Sequence, residues 1–177
     1  MLIGISGSSN SGKTTLASLL GAEMDACVVG EVASYVAGVW KKEKEMSLAE
    51  IRAYDATRFQ LEVLEEQIRR EDEALQSHEI VIVDRTIYDD LFFALFYHDD
   101  LQLLKRYMRI LEERERQRQY DLILYCEPIE GDNSSRIEHQ IIRRLLPQHI
   151  PVCHLPAFPP KKRVRIAVKV IEEVFSC

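Results

Sequence analysis

Residues 7–14 read Gly-Ser-Ser-Asn-Ser-Gly-Lys-Thr and fit G-x-x-x-x-G-K-[ST], the pattern of a phosphate-binding loop. Each position has a chemical reason. Gly7 and Gly12 permit a tight backbone path around a phosphate. The run Gly7, Ser8, Ser9, Asn10, Ser11, Gly12, Lys13, Thr14 and Thr15 is the predicted nucleotide cradle. Lys13 places a point charge on the β- and γ-phosphates, and the Thr14 hydroxyl suits a Mg²⁺ ion carried by the nucleotide. The flanks supply the context that the motif requires. Leu2-Ile3-Gly4-Ile5 reads as a buried strand, and Thr15–Leu20 reads as a helix. The loop then meets a helix N-terminus, where free N–H groups and the helix dipole favour an anion.

Other residues could act on a bound nucleotide. Asp84 closes the apolar run 80–83. An acid there completes a Mg²⁺ shell opposite Thr14; as an alternative it caps the helix that follows. Arg85 comes next, and its planar fork suits a substrate phosphate or carboxylate, or an internal ion pair. Glu31 lies just past a short strand at 27–29, where the carboxyl ends of parallel strands face a ligand crevice. It fits a base that takes a proton from an attacking hydroxyl, and equally a helix N-terminal acid that complements the dipole. Tyr35, one turn on, is a candidate to line the same pocket. Residues 130–144 make a loop and then a helix with Arg136, Arg143 and Arg144. An arginine on such a lid closes over the nucleotide and neutralises charge on the transferring phosphoryl group. Arg136 is the first candidate for that role. Arg143 or Arg144 is the second, because position i+7 returns to the same face; ordinary surface arginines are the alternative. Gln60, after Phe59, is a candidate for a base edge. Of Phe92, Phe93, Phe96 and Tyr97, most read as core, with stacking on a base as the alternative for some. His154–Pro160 is a candidate lip for adenine.

These residues need a scaffold. Strands are expected at Leu2–Ser6, Cys27–Val29, Ile80–Val83, Leu122–Cys126 and about Pro151–Leu155, all rich in Val, Ile and Leu. Helices are expected at Lys13–Met24, at Ser47 to about Gln76 behind a Ser47/Glu50 capping box, and at Tyr88–Tyr97. Three more are expected at Leu101–Gln117, Ser135–Leu146 and Pro159 to about Phe175. The alternation predicts an α/β protein, a parallel sheet with helices on both faces. The mixed-charge run 112–118 reads as a solvated helix surface.

The whole chain sets wider bounds. Its 177 residues suit a single domain, and 46% are hydrophobic. No apolar run approaches the roughly 18 residues of a membrane span. The N-terminus lacks the basic region of a signal peptide, and the four cysteines are widely spaced, so a cytoplasmic protein with reduced thiols is expected. The five histidines show no metal-ligand spacing. A net charge of −6 argues against a nucleic-acid platform, while a local basic pocket stays open.

At Gly7–Thr14, Glu31, Val83-Asp84-Arg85 and the arginine-bearing segment 130–144, the chain resembles the nucleoside and nucleoside-monophosphate kinase branch of P-loop proteins. The resemblance covers most of the length. Asp84-Arg85 before a helix looks like the Asp-Arg motif of thymidylate kinases, whose arginine contacts the acceptor. Glu31 with Arg85 looks like deoxynucleoside kinases, where the glutamate acts as base. Glu31 with Ala33, and Phe59-Gln60, look like ribosylnicotinamide-kinase domains. The resemblance implies a three-layer P-loop NTPase fold, with a five-stranded parallel sheet in the order 2-3-1-4-5. It also implies ATP, Mg²⁺ and phosphoryl transfer to a small-molecule acceptor. The sequence departs from these patterns in lacking Glu-Pro-Gly after the second strand and in carrying Thr86 after Arg85. The alternative is an NTPase switch or ATP-binding regulator that acts on a protein partner. Against it, Asn-Lys-x-Asp is absent, and Asp84 is followed by Arg-Thr-Ile instead of the Asp-x-x-Gly of a GTPase. The mixed-charge helix and the aromatic cluster are candidate surfaces for a homodimer.

Overall fold

The computed structural model describes residues 1–128 and 134–175. Five parallel strands run in the order β2-β3-β1-β4-β5. They are β1 (Leu2–Ser6), β2 (Cys27–Val29), β3 (Val81–Asp84), β4 (Leu122–Cys126) and β5 (Val152–Leu155). The helices are α1 (Lys13–Met24), α2 (Val32–Glu43), α3 (Leu48–Tyr54), α4 (Ala56–Ser77), α5 (Ile87–Phe96), α6 (Leu101–Gln117), α7 (Ser134–Leu145) and α8 (Pro160–Phe175). Among the described residues no helix is long and apolar enough to cross a membrane.

Side-chain alternation along the strands builds two cores. Leu2, Val81, Val83 and Ile123 face one layer with Trp40, Phe59 and Leu64 from α2 and α4. Ile3, Ile5, Ile82, Leu122 and Leu124 face the other, against Leu16 and Leu20 of α1 and Ala167 and Ile171 of α8. Burial on both faces explains why these strands are apolar throughout. The register Ile5↔Asp84 brings the ends of β1 and β3 side by side. The loop after β1 and the turn after β3 therefore open into one crevice.

Three expectations need correction. The single helix from Ser47 to Gln76 is two helices, broken at Asp55. The Ser47/Glu50 capping box starts the first as expected. The second is started from a distance: Asp99 accepts the Ala56 and Thr57 N–H groups at 3.0 and 3.1 Å and the Thr57 hydroxyl at 2.6 Å. Next, the run 112–118 is not all solvated, because Arg114 is buried and paired with Glu71 and Asp72. Finally, Phe96 is 58% exposed and outside the core, whereas Phe92 is buried. Helix α2 is an element additional to those expected.

Candidate functional site

The phosphate-binding loop leaves β1 through Gly7 and enters α1 through Gly12, with φ of 141° and 85°. A Cβ on Gly7 would lie 2.6 Å from the Cys126 carbonyl oxygen, so only glycine fits between loop and β4. The Gly7 N–H donates to Asp89 Oδ1 at 3.0 Å, and Asp89 Oδ2 accepts the Thr86 N–H and hydroxyl at 2.9 and 2.6 Å. One carboxylate thus fastens the loop to the start of α5. The Thr86-x-x-Asp89 capping spacing was the available sequence signal for it.

A cavity of about 390 Å³ lies in front of the loop, lined by Ser9, Asn10, Gly12, Lys13, Thr14 and Thr15 with Glu31, Asp84 and Arg85. Gly7, Ser8 and Ser11 are not part of that lining, and the Ser8 and Ser11 side chains are fully buried. Lys13 is buried and donates from Nζ to the Ser8 carbonyl at 2.7 Å. Burial, helped by Arg85, lowers its pKa, and Asp89, Glu138 and Asp84 oppose that shift. Asp84 is 2% exposed and hydrogen-bonded by the Thr14 side chain. Burial raises its carboxyl pKa, against the pull of Thr14 and Lys13. Two hard oxygen donors at the mouth of an anion cradle fit a Mg²⁺ ion brought in by a nucleotide.

A second cavity, of about 250 Å³, adjoins the first. Ala33, Ala37, Ile51, Phe59, Phe93 and Tyr97 give it apolar walls, with Ser34 and Gln60 as polar points. Ser9, Glu31 and Arg85 line both cavities. At this junction Arg85 Nη2 lies 3.1 Å from Glu31 Oε1, and Ser34 Oγ donates to Glu31 Oε2 at 2.6 Å. Burial works against the Arg85 charge, but Asp89, Asp90 and Glu31 outweigh it and raise its pKa. Arg85 Nε and Nη1 are buried and find no hydrogen-bond partner among the described residues, nor does Gln60 Oε1. Buried polar atoms left so are rare and point to a ligand that completes them.

The structure thus brings Lys13, Thr14, Asp84, Arg85 and Glu31 together. Glu31 is also the N-cap residue of α2, without a side-chain cap hydrogen bond, so its place at the helix start goes together with its place on the cavity wall. Tyr35 lies elsewhere: it is 51% exposed under the Arg70 guanidinium and borders a groove with Glu62 and Glu66. Arg136, Arg143 and Arg144 are exposed on α7 and line neither cavity. Residues 130–133 of the expected lid lie outside the described residues, as does Cys177. The α7 residue that does reach the loop is Glu138, which accepts the Ser9 N–H at 2.9 Å and the Ser9 hydroxyl at 3.1 Å. Arg163 of α8 grips three loops at once. It donates to the carbonyls of Ser11, of Pro156 (2.7 Å) and of Glu127 (3.0 Å). Neither Glu138 nor Arg163 stands in a motif, so spacing alone offered no signal for them.

A family model described as an AAA domain matches residues 2–144. No match was found among curated proteins. Among solved structures, deoxyadenosine kinase from M. mycoides with bound dATP is 16% identical, with a TM-score of 0.68 over 97% of this chain and 99% of that one. NadR protein in complex with NAD and AMP-PNP is 18% identical, with a TM-score of 0.73 over 99% of this chain and 49% of NadR. NadR in complex with NR is 16% identical, with a TM-score of 0.77, again over 99% of this chain and 52% of NadR. The chain therefore spans about half of NadR, and at these identities the likeness is one of fold.

Proposed function

We propose, for a chain that belongs to the AAA domain family and has the fold of P-loop nucleoside kinases, that it transfers the γ-phosphoryl group of Mg-ATP to a hydroxyl of a small nucleoside-like acceptor in the cytoplasm. The observation that carries this is the shared wall. A phosphate cavity and an apolar cavity meet at the Glu31–Arg85 pair. A hydroxyl held in the second cavity would face a γ-phosphoryl group held in the first. The second cavity, at about 250 Å³, favours a single small metabolite over a polymer. Its aromatic walls and Gln60 Oε1, which has no partner among the described residues, suit a base or base-like ring, a flat face with a polar edge.

Each residue then has a task. The loop N–H groups and Lys13 hold the β- and γ-phosphates. Thr14 and Asp84 would hold Mg²⁺, which neutralises charge on the phosphate oxygens when bound. Glu31 accepts the acceptor hydroxyl proton as its oxygen bonds to the γ-phosphorus and the bond to the ADP oxygen breaks. Arg85 orients Glu31 and offers its free N–H groups to the acceptor. Arg136 is the lid cation that would reach the phosphates on closure. Rate enhancement rests on positioning and charge complementarity.

The test is acceptor-dependent ATP consumption across nucleosides, nucleoside monophosphates and vitamin-like ribosides. One acceptor should raise turnover well above the acceptor-free rate, and Lys13→Ala and Glu31→Gln should each abolish that rise. Equal hydrolysis with every acceptor, unchanged by Glu31→Gln, would sink the proposal in favour of a nucleotide switch.

A further inference from the structure

Behind Arg85, on the buried face of α4, lies a cluster that lines neither cavity. Its hub is Glu71, a fully buried carboxylate. Oε1 accepts from Gln67 Nε2 at 2.8 Å and from the Tyr120 hydroxyl at 2.6 Å. Oε2 accepts from Arg114 Nη2 at 2.8 Å, so the buried charge has a counter-ion.

Both donors on Oε1 reach on to the turn after β3. Gln67 Nε2 also donates to the Arg85 carbonyl at 3.2 Å. The Tyr120 hydroxyl accepts the Ile87 N–H at 3.2 Å. A single carboxylate oxygen therefore grips both ends of the segment Arg85–Ile87. Between them the Thr86 N–H goes to Asp89, and the Arg85 N–H goes to the Ile5 carbonyl. This turn needs such restraint. Arg85 sits at φ 84°, a left-handed conformation that a residue with a Cβ rarely adopts. Such strain persists only where the surroundings over-determine it.

We propose that Glu71 is a positioning residue for Arg85: through Gln67 and Tyr120 it fixes the backbone turn from which the guanidinium reaches Glu31 at the junction of the two cavities. The kinetic consequence rests on the phosphotransfer reading; the structural consequence does not. The guanidinium stands at the end of a long side chain, so a small rotation at φ displaces it, and a displacement near 1 Å costs about a hundredfold in rate.

Three variants test this. Glu71→Gln alters the hub itself. Gln67→Leu and Tyr120→Phe each remove one arm and leave the Glu71–Arg114 pair in place. Tyr120→Phe also keeps the ring, which packs against Gly4. Each variant should lower kcat/KM for the acceptor by about tenfold, while the Kd for Mg-ATP stays within about twofold. In an Arg85→Ala background the same substitutions should cost less than about twofold in turnover, yet lower Tm as they do in the native background. Amide exchange at Arg85 and Ile87 should speed up in every variant, whether or not the chain turns over. Equal losses of turnover in both backgrounds, or unchanged exchange at these amides, would overturn the proposal. A native chain that phosphorylates no acceptor would instead defeat the phosphotransfer reading, and the exchange data would still decide the role of Glu71.

Discussion

Replacing Asp90 by asparagine should change the way stability depends on pH. Asp90 lies on α5 and is 2% exposed. The charges acting on it are Arg85 on the turn after β3, Asp89 beside it, Glu31 at the start of α2 and Glu71 on α4, with the Tyr107 hydroxyl of α6 also within its field. Burial is the largest influence and pushes its carboxyl up to about 8, with Arg85 offsetting part of the effect. In an unfolded chain an aspartate titrates near 3.9, at about 1.36 kcal/mol per unit of difference. Between those two values the folded protein holds a proton that the unfolded chain has released. Stability therefore falls as pH rises through this window, and the full penalty is present above about 8. Four units set a ceiling of roughly 5 kcal/mol. Relaxation and water entry on ionisation reduce it, so about 2 kcal/mol is expected, or about 4–8 °C in Tm for a domain of this size. Asparagine keeps the shape and stays neutral. Thermal melts of both proteins at pH 5, 7 and 9 should show the variant gaining on the native chain by about that interval as pH rises. Glu71 and Asp84 also have raised pKa values, but both proteins share them, so the difference isolates Asp90. Two parallel Tm curves would refute the reasoning.

Three other substitutions have definite expected outcomes. Glu138→Gln weakens the contact of α7 with Ser9 by about 1 kcal/mol and frees the loop for phosphate, so calorimetry should show Mg-ATP binding about fivefold tighter; equal or weaker binding would count against competition between Glu138 and phosphate. Gly7→Ala forces a Cβ to 2.6 Å from the Cys126 carbonyl at φ 141°, and urea melts should show a loss of about 2–4 kcal/mol. Arg163→Met releases the Ser11, Glu127 and Pro156 carbonyls, and steady-state kinetics should show the KM for ATP rising about tenfold while the KM for the acceptor changes less than about twofold; equal changes in both would mean that Arg163 serves the fold and not the donor site.

The parts of this protein that are local in sequence are legible in it. The loop at Gly7–Thr14 carries its own glycines and its own strand and helix, and α1 and α6 fall where their apolar spacing and flanks place them. The sheet order came from the family resemblance, and the structure has that order. What stayed hidden depends on contacts across long stretches of chain. The break at Asp55 is stabilised by Asp99, more than forty positions away, and no pattern near Asp55 announces it. Arg114 looks like its charged neighbours on α6 until Glu71 is seen against it. Tyr35 stands one turn beyond Glu31, but α2 turns it towards Arg70 and away from the cavity. Gln60 stands in no motif, and its place on the second cavity depends on α2, α3 and α5, which converge there from distant parts of the chain.

The junction pair argues for a ligand on energetic grounds. Burying a charged pair is often no more stabilising than burying apolar groups of the same shape. An arginine kept only to hold the fold would have its buried N–H groups satisfied, as Arg114 has through Glu71 and Asp72. Arg85 is different: two of its guanidinium nitrogens are buried without partners among the described residues, and its backbone is held in a strained conformation. Each unmet group costs about 1–3 kcal/mol, and the φ strain adds a similar amount. The chain opposes that cost with the Glu71 hub and the Asp89 brace, both set behind the turn and outside the cavities. Stability is thus given up at Glu31 and Arg85, an ion pair that borders both cavities, with the restraint placed just outside it. Such a distribution is expected where geometry at the junction matters more than its contribution to folding.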